Sequence, residues 1–259
     1  MRGLGFAYGV FCYAVFVAVL AYGMAFVGDL GVPRSVSFGR AEPLGRALVI
    51  DFALLAVFAL QHSVMARKGF KRLWTKIVDP SIERSTYVLA ADSALALLFW
   101  QWRPIAGTAW SVQSQAGRAM LWGLYWLGWA IALLSTPLRH HLDLFGVRQV
   151  WMRLQLRRYT FMPFRASGAY RFVRHPMALG LLIAFWAAPH MSWSRAIFAG
   201  AGTCYTILGT LLEERDLVHA YPSLYPTYRR EVPMFVPQPG RRARESAQAA
   251  RTDTRTDDR

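Results

Sequence analysis

The chain has 259 residues, of which 54% are hydrophobic and 17% are charged, against about 25% charged residues in an ordinary soluble domain. The uncharged runs 3–28 and 119–138 are each long enough to cross a bilayer core of about 30 Å. This pattern excludes an ordinary soluble domain. The formal net charge of +15 does not indicate nucleic-acid binding, because the basic residues lie in the connections between apolar runs.

In chain order, the apolar runs predict an all-α, polytopic membrane protein with five to six membrane segments. They lie at about 3–27, 44–66, 86–102, 118–137, 177–188 and 191–212. The first run exceeds the roughly 7–15 apolar residues of a signal peptide, so we expect it to stay in the mature protein. Pro189 separates the last two runs and predicts a helical hairpin whose first arm is short or tilted.

The connections alternate between basic and nearly neutral. Connections 67–85 and 138–176 are rich in Lys and Arg, whereas 28–43 and 103–117 carry little net positive charge. By the positive-inside rule, both basic connections and both termini face the cytoplasm, here of a bacterial inner membrane. A model with five crossings would place the C-terminus outside.

The composition changes again near the C-terminus. Residues 238–259 are rich in Arg, Asp, Thr and Ala and show no apolar periodicity, which predicts a disordered charged tail. Residues 1–237 are then one membrane-embedded domain, with the lipid bilayer as its partner. The sequence leaves the oligomeric state open.

Polar residues cluster at both ends of the predicted hairpin. Arg174, His175 and Pro176 open its first arm, and Glu213 and Glu214 close its second arm, so antiparallel arms bring them to one membrane face. Pro suits the first turn of a helix, whose free amides can bind a carboxylate. The glutamates would attract an ammonium or a sulfonium. They could instead orient the hairpin through an arginine, and the polar loop could simply contact lipid headgroups.

These residues carry a resemblance. The run 168–180 (GAYRFVRHPMALG) is similar to the G-x-Y and R-H-P-x-Y-x-G segment of the isoprenylcysteine carboxyl methyltransferase and phospholipid N-methyltransferase superfamily. Glu213 and Glu214, followed by Tyr225, Tyr228 and Pro233, resemble its ending.

The resemblance implies a cytoplasmic-face site for S-adenosylmethionine in about residues 138–237. The cofactor-binding residues that it implies are Phe164, Gly168, Tyr170, Arg174, His175, Pro176, Gly180, Glu213 and Glu214. Ala178 replaces the tyrosine that is usual after His-Pro, so an aromatic group near the cofactor is either missing or supplied by Tyr205 or Trp186.

A second segment narrows the family. The run 141–150 (HLDLFGVRQV) resembles the signature of bacterial methanethiol S-methyltransferases. This resemblance implies methyl transfer from S-adenosylmethionine to methanethiol, a small-molecule thiol, giving dimethyl sulfide. It places His141, Asp143, Arg148 and Gln149 on the acceptor side. Arg148 would favour the thiolate, and Asp143 or His141 would accept the proton.

Several alternatives remain at this stage. Asp143 could pair with Arg148 or Arg139, and Arg148 could contact a lipid headgroup. The acceptor could be a lipid amine, a prenylcysteine carboxylate or another small thiol, and the chain could also be a non-enzymatic membrane protein. The histidines lack metal-ligand spacing, so no metal is expected. Asp51 and Asp92 lie inside predicted spans, where we expect hydrogen bonds with Gln61, His62 or Ser93.

Overall fold

The computed structural model describes residues 2–135, 138–160, 164 and 166–238, without the side chains of 138–140. Within this part of the chain the structure is mostly helical. Its helices are α1 (Arg2–Gly28), α2 (Leu44–Ala66), α3 (Lys68–Trp74), α4 (Glu83–Gln101), α5 (Gln115–Leu134), α6 (Leu138–Leu144), α7 (Val147–Leu154), α8 (Pro176–Trp186), α9 (Trp193–Ala220) and α10 (Tyr225–Glu231), with a 3₁₀ helix at Gly168–Arg171. The predicted tail lies almost wholly outside the described residues.

Three of the described helices are long and apolar enough to cross a membrane: α1, α2 and α9. Their outer faces expose large apolar side chains, such as Phe11, Phe52 and Leu60, each more than half accessible. A water-soluble protein does not expose apolar surface on this scale. The chain is therefore an integral membrane protein.

The predicted spans agree with the helices to different degrees. Predictions 3–27 and 44–66 match α1 and α2, and α4 and α5 each begin three residues before the predicted spans. Prediction 191–212 is wrong at its end, because α9 continues to Ala220 and therefore contains Glu213 and Glu214. Strong apolar runs define helix centres, whereas a polar extension of a helix carries no hydropathy signal.

The all-α prediction missed one small sheet. Strand β1 (Thr108–Ser111) pairs antiparallel with β2 (His190–Ser192), and the amide of Val112 donates to the carbonyl of Pro189 at 2.8 Å. The sheet ties the α4–α5 connection to the turn of the hairpin. Strands of three and four residues are too short to give a detectable alternation in the sequence.

The main core lies toward this sheet, and aromatic residues dominate it. Trp102 is 1% exposed and donates through Nε1 to the Val36 carbonyl at 3.1 Å and to Ser194 Oγ at 2.9 Å. Phe26 and Phe198 pack edge-on against its ring. This core fixes the end of the hairpin that lies away from Glu214.

Glycines let α5 and α8 approach closely. A Cβ on Gly180 would lie 2.5 Å from the Gly128 carbonyl oxygen and the Ala132 nitrogen. A Cβ on Gly128 would lie 2.7 Å from backbone atoms of Gly180 and Ala184. Only glycine fits at such distances, so this contact determines where the N-terminus of α8 lies.

The partner of Asp51 differs from the expectation. Its carboxylate accepts a hydrogen bond from the Arg103 amide at 2.8 Å, and the side chain is fully buried. Gln61 contacts Met65 Sδ, and the His62 ring contacts Tyr87. The hydrogen bond between Asp51 and the Arg103 amide joins α2 to the residues after α4.

Candidate active site at the hairpin ends

Glu214 is the centre of a buried ion-pair cluster. Its side chain is 3% exposed and binds Arg174 Nε at 2.6 Å and His175 Nε2 at 3.0 Å. Its second oxygen lies 3.3 Å from Arg229 Nε. The predicted meeting of the two hairpin ends is confirmed, and both carboxylate oxygens of Glu214 are occupied by groups of the protein.

The same arginine holds the C-terminal segment against α8. The Arg174 guanidinium donates to the carbonyls of Arg229 at 3.0 Å and Val232 at 2.5 Å. The Arg174 amide donates to the Pro233 carbonyl at 2.9 Å, and the His175 amide donates to the Met234 carbonyl at 3.2 Å. The residues after α10 therefore pass across the N-terminus of α8.

Glu213 has a different environment from its neighbour. Its side chain is 61% exposed, and Oε2 lies 3.7 Å from His175 Nδ1. Successive residues of an α-helix project about 100° apart. The Glu214 side chain therefore points into the cluster, whereas the Glu213 side chain lies at its edge. Glu213 is therefore the carboxylate of the pair that a ligand can reach.

The first turn of α8 lies beside these carboxylates. Pro176 occupies its first position, and the Leu179 amide bonds the His175 carbonyl at 2.9 Å. The intervening amides of Met177 and Ala178 have no acceptor within the helix, since the first amides of any α-helix lack one. They provide a small anion-binding terminus.

An aromatic cluster completes this region. The Phe164 ring lies 5.2–5.7 Å from the rings of Tyr221, Tyr225 and Tyr228. Burial raises the pKa of Tyr225 and Tyr228, so both phenols stay protonated. The Tyr228 hydroxyl donates to the Tyr170 carbonyl at 2.6 Å and fixes the 3₁₀ helix after Gly168, whose φ is +58°.

A second polar network lies around α6 and α7. Arg148 binds Asp143 Oδ1 at 2.9 Å and donates to the Thr160 carbonyl at 2.8 Å. Tyr159 donates to Asp143 Oδ2 at 3.0 Å, and Gln149 donates to the Asp143 carbonyl at 3.1 Å. Burial and the Asp143 carboxylate raise the pKa of Tyr159, which keeps its proton for this bond.

His141 points away from that network. Its Nε2 lies 3.2 Å from the Tyr13 hydroxyl, and its ring packs against Phe16 and Phe145. Burial lowers the pKa of His141. A neutral imidazole between α1 and α6 is thereby favoured, with no contact to Asp143 or Arg148 among the described side chains.

Curated relatives cover most of the chain. A methanethiol S-methyltransferase of Mycobacterium tuberculosis is 50% identical over 240 residues, covering 93% of this chain and 98% of the relative. A methanethiol S-methyltransferase of Crocosphaera subtropica is 44% identical over 236 residues, covering 91% and 92%. The chain belongs to the methanethiol S-methyltransferase family.

More distant similarity extends beyond this family. Nurim of Danio rerio is 31% identical over 196 residues, which cover 73% of this chain and 70% of that protein. No family model matches the chain, and no solved structure matches it. Membership in the methanethiol S-methyltransferase family thus rests on full-length similarity.

The structure divides the residues that the resemblance implies into two groups. One group, at the hairpin ends, contains Phe164, Tyr170, Arg174, His175, Pro176, Glu213 and Glu214. The other contains Asp143, Arg148 and Gln149. Thr160 contacts the second group and Phe164 belongs to the first. At about 3.6 Å per residue, these two residues can be no more than about 14 Å apart, so the two groups are close neighbours.

Gly180 and His141 belong to neither group. Gly180 lies in the contact of α8 with α5, where its missing side chain serves packing. Gly168 opens the 3₁₀ helix with a positive φ, and a Cβ there would meet open space.

The two aromatic residues considered as substitutes for the tyrosine missing at Ala178 have no described contact with the ion-pair cluster. Trp186 lies at the far end of α8, where it donates to Thr203 Oγ1 at 2.9 Å and stacks on Trp110. Tyr205 contacts Ser63 on α2. Phe235 lies nearer, with its ring centre 6.1 Å from that of His175.

Sequence reasoning missed Tyr159 and Arg229. Tyr159 bonds Asp143, and Arg229 binds the second oxygen of Glu214. Their signals were weak, since each lies in a polar segment with other arginines or tyrosines nearby.

A cavity of about 500 Å³ lies elsewhere, lined by Glu42, Leu44, Leu48, Ile105, Ala106, Trp193 and Ile197. Trp193 begins α9, about 30 Å along the helix axis from Glu213 at 1.5 Å per residue. The cavity is therefore at the opposite end of the helices from the ion-pair cluster.

Proposed function

We propose that the chain methylates methanethiol with S-adenosylmethionine, giving dimethyl sulfide. One observation carries the proposal in a chain of this family. The buried Arg174–Glu214–His175 cluster holds an accessible carboxylate, Glu213, beside the N-terminus of α8. The relatives from Mycobacterium tuberculosis and Crocosphaera subtropica are named for this activity.

The groups present at the hairpin ends fit the parts of S-adenosylmethionine. The exposed Glu213 carboxylate suits its ammonium, and the free amides of Met177 and Ala178 suit its carboxylate. The aromatic cluster around Phe164 suits the adenine ring, which stacks on aromatic side chains. When bound, the cofactor supplies a methyl group already activated by the sulfonium.

The protein then has to position the reactants and exclude water. Glu214 supports this task indirectly, because it is fully engaged with Arg174, His175 and Arg229. It fixes α8, α9 and the segment after α10 relative to one another. Arg174, His175 and Glu214 are positioning residues in this proposal, and Glu213 contacts the cofactor.

The Asp143–Arg148 network has a positioning role as well. The Arg148 guanidinium donates to Asp143 and Thr160, so fewer of its N–H groups are available to a thiolate. By fixing Thr160, it limits how far from the network Phe164, four residues later, can lie. We assign this network to shaping the cofactor site from the acceptor side.

The membrane arrangement follows from the same site. We propose six membrane segments, α1, α2, α4, α5, α8 and α9, with both termini and both basic connections in the cytoplasm of a bacterial inner membrane. The hairpin ends then face the cytoplasm, where S-adenosylmethionine is made. The charged tail, residues 238–259, contributes nothing to catalysis in this arrangement.

Headspace gas chromatography of membranes containing the protein tests the proposal. Dimethyl sulfide should form only when both methanethiol and S-adenosylmethionine are supplied. Binding of S-adenosylhomocysteine without dimethyl sulfide would contradict the acceptor and direct the search to lipid amines or other thiols. Absence of binding as well would overturn the enzymatic proposal.

A further inference from the structure

The group that takes the proton of the thiol has to lie near the transferred methyl group and be free to act. Asp143 bonds Arg148 and Tyr159. His141 packs toward α1. Neither candidate has a described side-chain contact with α9, whereas His62 of α2 does.

Helix α2 runs beside the cytoplasmic half of α9. Ser63 Oγ lies 3.3 Å from the Tyr205 hydroxyl, and Arg67 pairs with Asp216 at 3.2 Å. These two contacts bracket Glu213 along α9. His62, next to Ser63, is therefore among the residues of α2 that lie one to two helical turns inside the membrane from Glu213.

His62 lies in a cluster of three aromatic rings from three helices. Ring centres lie 5.4 Å away for Phe58, 5.2 Å for Tyr87 and 6.3 Å for Tyr205. His62 is half-buried, and Tyr87 is 5% exposed. Aromatic edges make favourable contacts with sulfur, so the cluster suits a small apolar thiol.

The nitrogens of His62 are not saturated. Both Nδ1 and Nε2 lie 3.0 Å from the same Tyr87 hydroxyl oxygen, which also lies 3.3 Å from the His62 carbonyl. An oxygen equidistant from both nitrogens lies off the lone-pair axis of each. One ring nitrogen is therefore available to a further partner.

The groups facing His62 are aromatic or basic. The titratable and charged groups facing it are Tyr87 and Arg84 of α4 and Tyr205 of α9. No carboxylate lies within 4 Å of the ring among the residues that the structure describes. At neutral pH an imidazole without a carboxylate partner is mostly unprotonated and can accept a proton.

Tyr205, Gly209 and Glu213 follow one another at four-residue spacing, so they lie along one face of α9. Gly209 lies one helical turn from Tyr205 and one turn from Glu213, and a Cβ placed there would meet nothing within 4 Å. From Tyr205 to Glu213 the axial distance is about 12 Å. This interval separates the aromatic cluster from the carboxylate that contacts the cofactor in the proposed function.

We propose that His62 is the base for the methyl acceptor and that Phe58, Tyr87 and Tyr205 line the acceptor site; this rests on the proposed function. The thiol proton passes to the free His62 nitrogen while the sulfur forms a bond to the methyl carbon. The bond from that carbon to the sulfonium breaks, and its electron pair remains on the sulfur of S-adenosylhomocysteine. His62 then loses the proton to water.

A pH series of His62→Gln tests the assignment. At pH 7 the variant should form dimethyl sulfide about 100-fold more slowly than the wild type, the lower range for loss of a general base. The deficit should shrink about tenfold per pH unit as the thiolate forms without a base. S-adenosylhomocysteine affinity should stay within about twofold, since the cofactor residues are untouched.

A matched control and a second variant keep the test decisive. His190→Gln changes an exposed histidine of β2 at the opposite end and should match the wild type at every pH. Tyr87→Phe keeps the ring, removes the hydroxyl and should show a smaller deficit of the same pH dependence.

A deficit of His62→Gln or Tyr87→Phe that is constant with pH would overturn the assignment. So would loss of S-adenosylhomocysteine binding alongside activity, since it would make His62 structural. If the wild type forms no dimethyl sulfide, the proposed function fails, and the failure does not depend on His62.

Discussion

Two adjacent glutamates on α9 have opposite environments, and burial separates their roles. Glu214 is 3% exposed and binds three groups, whereas Glu213 is 61% exposed. A buried carboxylate that loses its charge leaves Arg174 and Arg229 without a counterion, which is far more costly than losing an exposed charge. The two residues therefore differ in how strongly each one stabilises the fold.

Exchanging each glutamate for glutamine should therefore give different phenotypes. Glu214→Gln should destabilise the protein by on the order of 3 kcal/mol and lower both its Tm and its activity. Glu213→Gln should keep the wild-type Tm and weaken S-adenosylhomocysteine binding about tenfold. Thermal unfolding and equilibrium binding in detergent measure both. Equal Tm losses in the two variants would contradict the assigned roles.

The pKa of His141, lowered by burial, predicts how stability depends on pH. The folded protein binds a proton at His141 less readily than the unfolded chain, so this residue destabilises the fold as pH falls below about 6.5. His141→Gln should reduce the loss of Tm between pH 7.5 and pH 5.5. It should also keep most of the activity at pH 7.5.

The Tm at the two pH values and the rate of dimethyl sulfide formation are the measurements. A variant that loses as much Tm as the wild type would disprove the linkage. A variant that is inactive at pH 7.5 would instead restore His141 as a catalytic candidate.

At the scale of elements, the α5–α8 contact determines the position of the site. Helix α8 has 11 residues, fewer than the roughly 20 that span a bilayer core. Its length alone therefore does not determine its position along the membrane normal. Its backbone approaches α5 at Gly128 and Gly180, where any Cβ would overlap backbone atoms. The N-terminus of α8, with Pro176, is thereby held beside Glu213.

The same substitution at two glycines of α5 should have opposite consequences. Gly128→Ala places a Cβ 2.7 Å from the Ala184 nitrogen and should lower both Tm and S-adenosylhomocysteine affinity. Gly123→Ala meets nothing within 4 Å and should leave both unchanged or raise Tm slightly, since alanine favours helix. Thermal unfolding and binding assays compare them. A neutral Gly128→Ala would show that the close approach is dispensable.

At the scale of the whole molecule, the two ends of the helices differ in charge and in structure. The small sheet, the aromatic core and the cavity near Trp193 lie at one end. The ion-pair cluster, α3 and the basic connections lie at the other. In the orientation that we propose, this basic end faces the cytoplasm and its anionic lipid headgroups.

Labelling of introduced cysteines checks this orientation. In a Cys204→Ala background, Gln113→Cys should react with an impermeant maleimide on intact cells, and Arg72→Cys should react only after permeabilisation. Cys12 is fully buried and should stay unlabelled. Labelling of Arg72→Cys on intact cells would invert the topology.

The amino-acid sequence by itself determined the membrane class, the centres of the helices and the set of residues at the hairpin ends. Apolar runs of bilayer length and the R-H-P and E-E motifs are local properties that need no partner to be detected. Pro176 marked the start of α8 for the same reason, because its ring restricts the backbone wherever it stands.

Only the tertiary structure decided which of these groups are engaged with one another. Glu213 and Glu214 are chemically identical in the sequence, and the helix rotation that buries one is set by packing against α8 and α10. Asp143 and Arg148 turned out to satisfy each other, whereas His62 gathered aromatic rings from α4 and α9. Burial and long-range contacts depend on the positions of several helices at once, so no single segment encodes them.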